Sequence, residues 1–469
     1  SPPVTFTRNA SNINSLQSAT VVRTGEASPW VVPLGTTASL DECAAACTRW
    51  TPPAPGTEPY PAPGTRRCRS FTRYSAQYAR NTSLAGACFG HTDWAWVPIA
   101  YPSGGVDAGE VAWPCETDFD CSLNGRCAAD TGVCNCSGSG WSGRRCETLN
   151  LKPVDRAVLG FSPVADGRNM SSWGGAVQQV GTEWHMWASR LDNHCGIGSY
   201  LLNSRVVHAV STAGPLGPFS ERESVLPPFA HEPDVVRAPT GEFVLVSTAG
   251  SLGNYTGKQC VCTDGPTVPP CGCDNSCHSF APTISVATDP AGPWQTAPIW
   301  PEQGGENPAI WITDGGEVFA MGRGGVVAAY SPDWKNRSAW IRGAPPNVSA
   351  YLSGRPDAED PYVYQDAAGH FHALLHSLEG PHMCFGTECQ VGTHAFSLDG
   401  FGWQYGGTAY SSRVDFTDGS SVLLNRRERP HMVFAEGTRT LVALSNSAEL
   451  GGGWGDRSFT LLQGIDSGA

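Results

Sequence analysis

From residue 151 onward, hydrophobic residues fall into short alternating runs separated by Gly- and Pro-rich turns, and the runs repeat. Each unit opens with a short strand headed by a polar residue and Pro. The heads read Glu232-Pro233-Asp234-Val235, Asn307-Pro308-Ala309-Ile310, Asp360-Pro361-Tyr362-Val363 and Arg429-Pro430-His431-Met432, with Gly174-Gly175-Ala176-Val177 as the first copy. An alternating strand follows: Trp184-His185-Met186-Trp187, Phe243-Val244-Leu245-Val246, Val318-Phe319-Ala320-Met321, Phe371-His372-Ala373-Leu374 and Thr440-Leu441-Val442-Ala443. An aromatic turn closes each unit, at Phe219, Trp294, Trp334, Trp403 and Trp454. Five copies of about 64 residues match the size of a four-stranded propeller blade. Pro is tolerated at the head of a strand, where no ladder donor is needed. The pattern predicts a mainly β chain with a five-bladed β-propeller over residues 151–469.

In a propeller the inner strands converge on one axis, so their heads meet in space. The heads supply Trp173, His231 and Glu232, then Glu306 and Asn307, Glu359 and Asp360, and finally Arg427, Glu428 and Arg429; Asp192, Asn193 and His194 follow the second strand of the first unit. Carboxyls crowded together in this way share protons, so one of them stays protonated near neutral pH.

Residues 1–150 are built differently. Ser39 and Glu42 form a capping box for a short helix carrying Cys43 and Cys47 on one face, and Cys68 and Cys88 follow in strand-like text. A helix pinned to strands by two bridges, over residues 1–110, resembles a PAN/apple module; a binding module and a stapled spacer both satisfy it. The run Pro52 to Pro63 is an extended loop. Cys115, Cys121, Cys127, Cys134, Cys136 and Cys146, with Gly140-Trp141-Ser142-Gly143 before the last, resemble an EGF-like domain over residues 111–150. That resemblance implies the pairs 115–127, 121–134 and 136–146, and a rigid spacer held by its bridges. Cys260, Cys262, Cys271, Cys273 and Cys277 make an odd cluster; with Cys384 and Cys389 paired locally, Cys195 is left as the outside partner.

Residues 155–469 resemble glycoside hydrolase family 43 and its five-bladed relatives. Glu359-Asp360-Pro361-Tyr362 matches the family's blade-four motif, and Glu232-Pro233-Asp234-Val235 resembles its blade-two text. The resemblance implies Glu359 as general acid. It also implies an Asp base on blade one and a pKa-tuning Asp on blade three, where this chain has Trp173-Gly174-Gly175 and Asn307. Glycoside hydrolysis needs two carboxyls, so the expected catalytic set is Glu359 with Asp360, Glu428 and, as substitute base, Asp192. Trp173, Asn193, His194, His231, Glu232, Asn307, Arg427 and Arg429 are the expected substrate-binding residues. The competing reading ties the carboxylates to Arg427 and Arg429 in a buried ion network that joins the blades. Some of these relatives hold a cation near the axis; no cofactor or protein metal ligand is expected here beyond such a structural ion.

Composition narrows the partners. The net charge is −13 and no Lys/Arg cluster occurs, which excludes a nucleic-acid face and leaves glycans or glycoproteins. The 18 Cys and seven Asn-x-Ser/Thr sequons, at Asn9, Asn81, Asn135, Asn169, Asn254, Asn336 and Asn347, predict a secreted, disulfide-bonded glycoprotein. No apolar run is long enough to cross a membrane. Two functions follow: a glycosidase, or an inactive sugar-binding or structural component of an extracellular matrix or filament, with protein partners at the N-terminal modules.

Overall fold

The computed structural model describes residues 5–9, 12–13, 31–50, 68, 70–74, 86–91, 98–99, 106–112, 114–165, 168–250, 259, 261–262, 280–298, 307–323, 326–342, 351–353, 358–378, 384, 386–450 and 458–468. Pro52 to Pro63, Asn81, Asn254, Cys260, Cys271, Cys273, Cys277, Glu306, Asn347 and Trp454 lie outside them.

Five antiparallel sheets form the propeller. Blade one is Ser172–Val180, Glu183–Leu191, Ser204–Ser211 and Ser220–Leu226. Blade two is Ala230–Arg237, Phe243–Gly250, Phe280–Ala287 and Gln295–Pro298. Blade three is Ala309–Ile312, Val318–Gly322, Val326–Ser331 and Ile341–Arg342. Blade four is Ala358–Gln365, Phe371–Ser377, Gln390–Ser397 and Gly402–Ser411, with Tyr351–Ser353 added in parallel at its edge. Blade five is Arg426–Phe434, Leu441–Glu449 and Ser458–Gly464.

The first strand of each blade packs on that of the next, and the fifth returns to the first, which closes the ring. Apolar residues between blades supply the core, among them Val244, Ile310, Val363, Leu374, Met432 and Leu444. The chain entering the propeller also fastens blade five: Leu151 bridges Ile465, Val154 bridges Phe416, and Phe161 bridges Thr460. Phe161 is 1% exposed and sits with Val177, Met186, Val433 and Leu462, spanning blades five and one.

The N-terminal segment has the helix Leu40–Arg49, started by the Ser39 hydroxyl accepting from the Glu42 amide at 3.1 Å. Cys43 and Cys47 face inward and bond Cys88 and Cys68, pinning the helix to a five-stranded sheet. Residues 114–149 hold the bonds Cys115–Cys127, Cys121–Cys134 and Cys136–Cys146 around two short hairpins. This segment docks on blade four: Trp141 meets the His394 ring at 4.6 Å and Phe119 the Phe396 ring at 5.0 Å. Cys195 bonds Cys262, and Cys384 bonds Cys389. No helix among the described residues is long and apolar enough to cross a membrane.

Candidate active site

The five inner strands begin alike. Gly174, Glu232, Asn307, Asp360 and Arg429 all have left-handed backbones, with φ of 66°, 56°, 59°, 53° and 50°. Four are not glycine, and holding such residues there costs on the order of 1–3 kcal/mol each. In blades one, two, four and five the pairing register slips at this point, as at Glu359/Tyr362 and Glu428/His431. The slip is a β-bulge, which re-aims side chains at a strand end. It explains why neighbouring residues, Glu359 and Asp360 for example, belong to the same charged cluster.

Asn307 is the hub. Its Nδ2 donates to Glu232 Oε2 at 2.7 Å and to Asp360 Oδ1 at 2.6 Å. Arg429 completes the ring: its Nη2 donates to the Glu232 carbonyl at 2.8 Å, and Nη1 lies 3.7 Å from Glu232 Oε2 and 3.5 Å from Asp360 Oδ1. The Arg429 amide donates to Asp360 Oδ2 at 3.3 Å. Blade one contributes no side chain here; a Cβ on Gly174 would rest 3.6 Å from that of Arg429. The Arg429 stem thus borders that position at ordinary contact distance.

Burial raises the Asp360 carboxyl well above the usual range, and Glu232 adds to this while Arg429 opposes it. Glu232 is raised for the same reason, again against Arg429. Burial, then Arg429 and Arg426, hold His231 well below its usual value. His231 Nδ1 shares a hydrogen bond of 2.7 Å with the Ser204 hydroxyl.

Glu359 and Glu428 stand beside this ring. Glu359 is the less buried; it meets His376 Nδ1 at 3.2 Å and Arg323 Nη2 at 3.1 Å. Glu428 is gripped by Arg426 at 2.6 and 3.0 Å. Arg426 also covers the Trp173 ring at 4.7 Å and approaches Glu449 at 4.0 Å. Trp173 is 1% exposed, so its face is not open to a sugar. Glu359, Asp360, His376 and Glu428 offer donor atoms all within 4.8 Å of one another. Three carboxyls and an imidazole suit a hard divalent cation in chemistry, and these four residues would hold one. Arg323 and Arg426 already balance two of the carboxylates.

Four expected site residues make their observed contacts outside the ring. Asp192 is clamped by Arg190, Arg205 and Gln259, with bonds of 2.8 to 3.0 Å among them. Burial favours its neutral form, but these donors outweigh that and lower its pKa. None of its contacts among the described residues is an axial group. Asn193 and His194 form a left-handed turn beside the Cys195–Cys262 bond, where Cys262 donates to the Asn193 carbonyl at 3.3 Å. Arg427 alternates away from the axis. It bonds Asn446 and Gln463 at 2.9 and 2.8 Å and lies over Tyr410, and burial lowers its pKa to about 10. Arg323, His376, Arg426 and Glu449 carry no motif that marks them in the sequence. Strand alternation carried a signal for Arg426, which shares a face with Glu428.

No protein-family profile matches the sequence, and no curated protein does. Among solved structures, the chain is similar to the catalytic domain of a family 62 α-L-arabinofuranosidase from Coprinopsis cinerea, at 14% identity and a TM-score of 0.42, over 65% of this chain and 94% of that one. It is similar to an α-L-arabinofuranosidase from Podospora anserina, in complex with cellotriose, at 13% identity, 0.42, 65% and 94%. A family 43 glycoside hydrolase from Xanthomonas citri is similar at 14% identity, 0.39, 63% and 88%.

Proposed function

We propose that the head end of the propeller axis takes glycan chains and cleaves glycosidic bonds, with Glu359 as proton donor and Glu428 as the second carboxylate. The observation that carries this reading is the pair itself. Oxygens of Glu359 and Glu428 lie within 4.8 Å, each beside its own arginine, with the buried Asp360 in the same cluster. Hydrolysis requires one carboxyl that gives up a proton to the leaving oxygen and another that activates water or attacks the sugar. Glu359 keeps an approach from solvent, since its side chain is 14% exposed against 4% for Glu428. The disulfides, with Asn135 and Asn336 exposed, support a secreted glycoprotein. Its N-terminal segments then serve as a PAN-like partner-binding module and an EGF-like spacer.

A second reading is favoured by Gly174, which leaves blade one without a carboxyl, and by Arg429, which braces Glu232 and Asp360. Here the axis is an ion network that ties the blades, and the protein binds glycan without cutting it. A panel of aryl glycosides and extracted polysaccharides separates the two. On the enzyme reading, Glu359→Gln lowers turnover by on the order of 10²–10⁴ with an unchanged melting temperature. No turnover by the wild type, with a lower melting temperature in Glu359→Gln, establishes the second.

A further inference from the structure

Residues 114–149 rest on blade four through aromatic rings, and one of those rings is an imidazole. Phe119 meets the Phe396 ring, Trp141 lies on the His394 ring, and the Thr148 hydroxyl donates to the Thr408 carbonyl at 3.3 Å. Trp141 is 4% exposed and His394 is fully buried. Lifting Trp141 uncovers that ring.

The hydrogens along this seam run one way. Asp366 Oδ2 lies 3.6 Å from His372 Nε2, which favours the tautomer with its hydrogen on that nitrogen. His372 Nδ1 then accepts from His394 Nε2, 3.1 Å away. His394 Nδ1 is left bare, buried and without a hydrogen-bond partner among the described residues. It faces Gly406, where a Cβ would come within 2.6 Å of it. A further proton on His394 must therefore sit on Nδ1, as a charged N–H with no acceptor, and that is costly. Burial, then His372, accordingly hold the His394 pKa well below its usual value.

The neighbouring titratable and charged groups are engaged elsewhere. Tyr364 stacks on His372 at 5.1 Å, and His370 meets Asp366 at 3.0 Å. Tyr405 precedes Gly406 on the adjacent strand, and Arg427 of blade five lies over Tyr410 on that strand. On the docked segment, Arg145 and Glu147 border Gly407, and Asp118 pairs with Arg126 at 3.8 Å. None of them bonds His394 Nδ1. Once uncovered, His394 titrates near its ordinary value of about 6.5. Protons then bind the undocked state better than the docked one, so acid favours undocking, by up to about tenfold per pH unit for one proton. Asn150 bonds Asp466 through backbone and side chain and supplies the pivot.

We propose that the contact of Trp141 with His394 is a pH-released latch: residues 114–149 lie docked on blade four at neutral pH and lift away in acid, while the propeller stays folded. The latch is independent of whether the head end cleaves glycosides. Fluorine NMR of the intact protein labelled with 5-fluorotryptophan tests it, with the Trp141 line assigned from Trp141→Phe. Between about pH 7.5 and about pH 4.5 the Trp141 line gives way to one that a soluble gadolinium chelate broadens, and the lines of the propeller tryptophans keep their positions. His394→Phe keeps a ring under Trp141 and holds its line in the docked position throughout. Phe119→Ala, a change confined to the docked segment, moves the transition up by about one pH unit, as a tenfold weaker contact does for one proton. A wild-type Trp141 line that stays docked overturns the proposal. So does an equal transition in His394→Phe, an unshifted one in Phe119→Ala, or one in which the propeller lines move together with that of Trp141.

Discussion

At the residue scale, one atom exchange separates this axis from a ring of three carboxyls. Asn307 donates to both Glu232 and Asp360 through a single nitrogen. An aspartate at that position has no hydrogen to give, and would leave Arg429 as sole counter-charge for three buried carboxyls. Asn307→Asp is therefore expected to destabilise the fold by about 3–5 kcal/mol at pH 7, the cost of an uncompensated buried charge. The sign with pH follows from the direction of the shifts. Folding raises the pKa of such carboxyls, so the folded state binds the extra protons and the cost shrinks as pH falls. Urea unfolding of both proteins at pH 7 and pH 5 checks this; an equal gap at the two values contradicts it.

At the element scale, blades one and four each carry a pair of histidines across their middle strands. His185 Nδ1 meets His208 Nε2 at 2.9 Å, and His208 also contacts Glu223. His372 Nδ1 meets His394 Nε2 at 3.1 Å, in a stack running from Tyr364 to Trp141. Burial depresses His185, His372 and, most strongly, His394. The unfolded chain takes up these protons near pH 6.5 and the folded chain does not, so stability is lost as pH falls through that value. Glu232 and Asp360 act in the other direction, which makes a variant the cleaner test. His394→Phe keeps the stack and should reduce the slope of stability against pH by about 1.4 kcal/mol per pH unit between pH 6.5 and 5. Parallel slopes for the two proteins would falsify it. The strands themselves were legible from alternation and from the polar-Pro heads. The bulges at those heads were not, because a register slip leaves no mark in hydrophobic periodicity. Arg427 read as an axial residue because it neighbours Glu428 in sequence, although strand alternation turns it to the face opposite Arg426 and Glu428, and Asp192 read as a base because no motif marks the two arginines that clamp it.

At the scale of the whole molecule, the five-fold repeat made the ring legible and left its closure hidden. Blade five has three strands of its own among those described, and the entering chain fastens it at Leu151, Val154 and Phe161. Phe161 carries no repeat signature, since its partners are two blades that are distant in sequence. Phe161→Ala should cost about 3–5 kcal/mol, the range for a buried aromatic removed from a core, while circular dichroism shows the strand content retained. A loss under 1 kcal/mol would mean that the ring closes without it. The same clasp has a mechanical side. Leu151 and Ile465 run antiparallel, and Asn150 and Asp466 meet just outside them, the Asp466 amide donating to the Asn150 carbonyl at 2.8 Å. The incoming and outgoing strands thus leave the ring side by side. Tension between the N-terminal segments and residues beyond 465 peels these bridges one at a time rather than shearing them together. Blade five then yields before blades one to three, while blade four shares the load through the docked residues 114–149.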